Sequence, residues 1–366
     1  MGWIALSDRN RQVFNLNGIG ADAGKAATAG EELTPDSLLI RGSIVVETNL
    51  PEDGRPQQLI RYNRDHPWVS RLSLQAIPGG AVVLVITQGK EVFHTALEHD
   101  AAGQADRLRI TYSWDAPARW GRLSVERIGT DKLFLSEVRD PKPLLLSDLR
   151  IMALDPAQRQ MDREVDYFAV STRIEPVGPM PSLTARVPVL TSWGYRAAHQ
   201  ITRGDLLRGP DGGTTPVLAT VRRTVPARGA FRPVRLRAPY FGLQQDIVVA
   251  PGQLLRLDGS DVDYLFGQQA VLVPAGHLVN GVSAMYCDGG DTVTYSQFVL
   301  PGNEPVVAAG APLETLFLGR MRRKPAHVAA SLLAGYDRSR LPEHPCSAYP
   351  VLKPFEAITL AELRAA

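Results

Sequence analysis

Three observations make the chain an all-β protein of two domains. From about Gly42 to Glu137, short β-rich runs recur, divided by Pro, Gly, Asp or Asn with no helical repeat between them. Pro176, Gly178, Pro179 and Pro181 then form a stiff connector. Beyond it a second series of short apolar runs starts at Leu183 and continues past Val293. At 366 residues the chain is long for one hydrophobic core, so domains over 1–178 and 182–366 are expected.

The strands of the first domain are expected at Ile44–Thr48, Val69–Ala76, Ala81–Thr87, Val92–Leu97, Leu108–Trp114 and Arg122–Arg127. In the fifth, Leu108, Ile110, Tyr112 and Trp114 alternate with Arg107, Arg109, Thr111 and Ser113, which predicts an antiparallel strand with one buried face. The apolar run Leu144–Met152 and then Tyr167–Val170 are expected to close the domain as strands. Evenly spaced strands predict a sandwich. The hairpin from Thr111 to Glu126 resembles a strand pair of the laminin G-like and concanavalin-like jelly rolls. Such sandwiches often bind glycans by stacking aromatic rings on sugar faces, which nominates Trp114, Asp115 and Trp120; the competing reading makes them core anchors around a turn.

Composition narrows the function classes. The formal charge of +2 indicates no general attraction to nucleic acid or an anionic membrane. Only 6 of the 40 basic residues are Lys, a bias ascribed to genome composition rather than to phosphate binding. No apolar run reaches the ~18 residues of a membrane span. The amino terminus lacks a basic segment followed by an apolar core, so a soluble chain is expected, either cytoplasmic or exported without a cleaved signal.

Gly18–Lys25 superficially matches nucleotide-binding loops, but Ile19 and Ala26 break the phosphate-loop spacing and no βαβ unit follows. No cofactor is expected. Asp258–Asp263 lacks the spacing and terminal Glu of a calcium site and reads as a plain loop, His66, His94 and His99 lack ligand spacing, and no metal site is expected. Cys287 and Cys346 are either buried thiols or one disulfide.

The second domain opens on Ser182-Leu183-Thr184-Ala185-Arg186-Val187-Pro188-Val189-Leu190-Thr191-Ser192-Trp193-Gly194, which reads as two short strands, and Gly204-Asp205 reads as a capped turn. Later come Val248-Val249-Ala250-Pro251-Gly252-Gln253, Val271-Leu272-Val273-Pro274-Ala275-Gly276-His277-Leu278-Val279-Asn280 and Val293-Thr294-Tyr295. This order resembles bacterial Hint (hedgehog/intein) domains over most of 182–357. The resemblance implies a β scaffold in which a Cys or Ser attacks the preceding peptide carbonyl while a histidine protonates the departing nitrogen.

On that pattern Ser182 takes the nucleophile's place, and Pro181-Ser182 is the bond it would attack. The histidine places are filled by Gln253, Gln297 and Asn303, which keep hydrogen bonding but cannot titrate near neutral pH. His277 alone remains at a motif position, and its place in an apolar strand and turn makes it structural rather than catalytic. The expected function is a non-enzymatic surface, glycan-binding or structural protein with a glycan or protein partner and a degenerate Hint-like domain. The alternatives are slow autoprocessing at Pro181-Ser182 through an ester, and a structural subunit of a larger particle.

Overall fold

A computed structural model describes residues 2–20, 34, 36–51, 53–100, 107–288, 290–347 and 349–365. Of the Gly18–Lys25 loop, residues 21–25 lie outside these. The chain divides into two compact units, Met1–Gly178 and Pro179–Ala366.

The first unit is a sandwich of antiparallel sheets. One has seven strands in the order Leu133–Arg139, Trp120–Arg127, Arg107–Asp115, Arg41–Asn49, Val165–Ser171, Trp3–Ser7 and Gln12–Phe14. The other has five, Arg159–Gln160, Gln57–Arg64, Ser70–Ile77, Ala81–Gln88 and Glu91–Glu98. Alternate residues of both sheets meet in one core that includes Ile44, Val46, Leu72, Leu84, Ile110 and Tyr112. All six expected strands are present; Trp3–Ser7, Gln57–Arg64 and Leu133–Arg139 were not foreseen.

Two readings of this unit are corrected. The run at Leu144–Met152 gives only a two-residue strand, Leu144–Leu145, before turning into the helix Leu146–Leu154, which buries Leu146, Leu149 and Met152. Three consecutive leucines suit either state, and the spacing of 146, 149 and 152 suits a helix. The Arg107–Asp115 strand is antiparallel, yet its polar face is buried as well. Cross-strand partners make this tolerable: Arg109 lies 3.1 Å from Glu47, its register partner, and the Ser43 and Ser113 hydroxyls are 2.8 Å apart.

The second unit is also built from short antiparallel strands, in a six-stranded and an eight-stranded sheet. Its core includes Leu183, Val189, Leu236, Val249, Leu255, Val273, Phe298 and Leu313. The opening stretch forms the two expected strands, Leu183–Thr184 and Pro188–Thr191, and Trp193 stands at the turn into a third, Gly194–Ala197. Asp205 caps its turn as expected, accepting from the Thr202 amide at 2.8 Å. Asp258–Asp263 is not a loop: after Gly259 the chain enters the helix Ser260–Phe266, where Asp261 pairs with Arg364 of the closing helix Pro354–Ala365. Ala357 and Leu360 of that closing helix are buried in the unit's core. Among the described residues, no helix is long and apolar enough to cross a membrane.

Because each unit has its own core, residues 1–178 expressed alone are expected to unfold in one cooperative transition. A product without a thermal or denaturant transition would contradict this.

Candidate functional site

Strand register brings the site together. Leu183–Thr184 lies between two other strands, with Leu183 opposite Val249 on one side and Ser296 on the other. One residue earlier, Ser182 therefore sits beside Gln297, and its carbonyl accepts from the Ala250 amide at 2.7 Å. The chain then turns through Pro251 and Gly252, closed by the Gln253 amide on the Ala250 carbonyl at 3.0 Å, and this turn delivers Gln253 to the same spot.

The three side chains form a closed network. Ser182 Oγ donates to Gln253 Oε1 at 2.6 Å, and Gln297 Nε2 donates to Ser182 Oγ at 3.0 Å and to Gln253 Oε1 at 3.1 Å. Gln253 and Gln297 are buried and Ser182 is half-buried behind buried Pro181. The sequence-predicted positions Ser182, Gln253 and Gln297 are thus in direct contact although 71 and 115 residues separate the serine from the two amides.

The same network exposes a residue that sequence reasoning missed. The main-chain carbonyl of Glu314 accepts from Gln253 Nε2 at 2.9 Å and from Gln297 Nε2 at 3.3 Å, while its side-chain Oε1 accepts from Asn303 Nδ2 at 3.3 Å. All three amides at the histidine places therefore converge on Glu314. Its side chain is buried, and burial pushes its carboxyl up to about 7. A carboxylate inside the apolar run Leu313–Leu318 was the available signal.

His277 stands apart from this network. It lies in the short turn Ala275–Leu278, bonded to the Leu352 main chain, and burial holds its imidazole below the usual range. Cys287 and Cys346 are free thiols, half-buried and exposed respectively, so they form neither the disulfide nor the buried pair. Among the described residues, no group of three His, Cys, Asp or Glu side chains is placed to hold a metal ion.

Residues 181–320 match the family model for the Hint domain. The second unit carries a Hint domain. The matched span ends at residue 320, whereas the compact unit runs to Ala366. Among solved structures, the chain is similar to the MchDnaB-1 intein, with 19% identity and a TM-score of 0.26 over 36% of this chain and 98% of that one. It is also similar to the gp41-1 intein, at 12% identity and a TM-score of 0.25 over 37% of this chain and 98% of that one. A third similarity is to the CBM40 of a Ruminococcus gnavus IT-sialidase, at 13% identity and a TM-score of 0.24 over 35% of this chain and 62% of that one. No curated protein sequence matches the chain.

In the first unit, the proposed sugar platform is corrected. Trp114 is fully buried, its indole N–H donates to the Leu39 carbonyl at 2.8 Å, and its ring stacks on Tyr112, so it has no face to offer a sugar. Asp115 is buried too, engaged by Arg41 at 2.7 Å and by the Ala118 amide at 3.2 Å. Trp120 is half-buried, with the Arg122 guanidinium 5.8 Å from its ring centre. The hairpin anchors these residues in and beside the core.

Proposed function

We propose that this Hint domain is a retained β scaffold that does not process its own backbone, and that the chain acts as a binding or structural protein rather than an enzyme. The observation that carries this reading is the bond from Ser182 Oγ to Gln253 Oε1 at 2.6 Å. Attack would require the serine to lose that proton as Oγ adds to the Pro181 carbonyl, and then a proton donor for the departing Ser182 nitrogen. A neutral carboxamide accepts a hydrogen bond but does not take up a proton near neutral pH. Gln297, the second amide on Ser182, has the same limitation.

Hydroxylamine tests the proposal, because it would attack an ester on Ser182 Oγ and release residues 1–181 as the hydroxamate. Prolonged incubation is expected to leave the chain whole. Release of a fragment beginning at Ser182 that disappears in Ser182→Ala would establish slow autoprocessing instead.

A further inference from the structure

We infer that Glu314 is a positioning residue that works as a neutral acid: its Oε2–H donates to Asn303 Oδ1 while Asn303 Nδ2 donates to Glu314 Oε1, closing a cyclic acid–amide pair beside the Ser182 network. Two observations carry this. Asn303 Nδ2 already donates to Glu314 Oε1 at 3.3 Å, which brings amide and carboxyl into contact. The other oxygen of each group, Glu314 Oε2 and Asn303 Oδ1, is buried and lacks a hydrogen-bond partner among the described residues. Two orphaned acceptors on adjoining groups cost free energy as they stand, and one proton on the carboxyl satisfies both.

The surroundings favour the neutral form. The charged or titratable groups on the elements around Glu314 include Arg222, whose Nε reaches Ser296, Arg223, whose guanidinium reaches Met180 Sδ, Arg256 and Asp258, which pair at 3.4 Å on the strand whose Leu254 carbonyl accepts from the Glu314 amide, Glu304, whose carboxylate accepts from Thr215, and His344, held between the Leu318 amide and the Leu300 carbonyl. None of them hydrogen-bonds Glu314 among the described residues, so no cation offsets the burial of its charge. Burial accordingly pushes the carboxyl up to about 7. When the proton leaves to solvent, Oε2 and Oδ1 become two acceptors facing each other, and the turn carrying Asn303 loses one of its ties to the Hint core.

A folded-state value raised above the unfolded one means that this stabilisation is complete below the unfolded value of about 4.3 and is lost as pH rises through about 7. His277, His327 and His344, all lowered by burial, contribute the opposite slope, so the informative quantity is the difference between wild type and Glu314→Gln. Glutamine can make both bonds of the pair without titrating.

The experiment is thermal unfolding of the full chain from pH 5 to pH 8, with carboxyl carbon NMR of Glu314. The expected result is equal Tm for the two proteins near pH 5 and a wild-type Tm on the order of 5 °C below that of Glu314→Gln at pH 8. The Glu314 carboxyl is expected to titrate near 7. Asn303→Leu, which removes the amide, is expected to lower Tm at pH 5. Parallel pH profiles for wild type and Glu314→Gln, or a carboxyl that titrates in the ordinary range, would overturn the inference. This proposal concerns the site described above but is independent of whether the chain cleaves itself: intact mass on the same samples separates the two questions.

Discussion

Gln253→His is expected to raise the rate of hydroxylamine-dependent cleavage before Ser182 by on the order of 10²-fold over the wild-type chain. The side chain at 253 is already within 2.6 Å of Ser182 Oγ, so an imidazole there stands within reach of the proton that must move. General acid–base assistance is typically worth about 10²–10⁴-fold, and the lower end applies because Gln297 and Asn303 stay in place. Mass spectrometry of timed samples measures the effect, and Ser182→Ala combined with Gln253→His must abolish it. A double variant that still cleaves would place the nucleophile elsewhere. A Gln253→His chain no faster than wild type would show that proton transfer is not what the site has lost.

The other large effect is on stability. Trp114→Ala is expected to destabilise the first unit by about 3–5 kcal/mol, the usual cost of removing a large buried aromatic. The side chain fills space that the sheet reserves for it: an added Cβ on Gly42 would stand 2.9 Å from the indole and 2.7 Å from the Ser171 carbonyl. Truncation also strands the buried Leu39 carbonyl that the indole N–H now satisfies. Trp114→Phe keeps most of the volume and loses the N–H, so it should cost about 1–2 kcal/mol. Urea denaturation measures both, and a Trp114→Ala chain within about 1 kcal/mol of wild type would contradict the core assignment.

The sandwich strands were legible because their alternation is local: Leu108, Ile110, Tyr112 and Trp114 face the core as their spacing requires. The burial of Arg109, Thr111 and Ser113 on the other face was not legible, because it depends on Glu47 and Ser43, which the register brings across from a strand some 60–70 residues away. Apolar character alone did not separate helix from strand at Leu144–Met152. Trp114 shows the limit of residue type as a guide to function, since a ring flanking a turn reads equally as a platform or an anchor until burial decides.

The Ser182, Gln253 and Gln297 positions were legible through the order of the Hint motifs, and the structure puts the three in contact. Glu314 was not, because its importance lies in a main-chain carbonyl and a buried side chain that meet partners 61, 17 and 11 residues away.

The claim that the Hint domain keeps its architecture without its chemistry meets its most direct test in the intact mass of the full-length protein, purified and followed over days at neutral pH. A single mass for the uncut 366-residue chain is expected throughout. Complementary fragments ending at Pro181 and beginning at Ser182, present in the wild type and absent in Ser182→Ala, would contradict it.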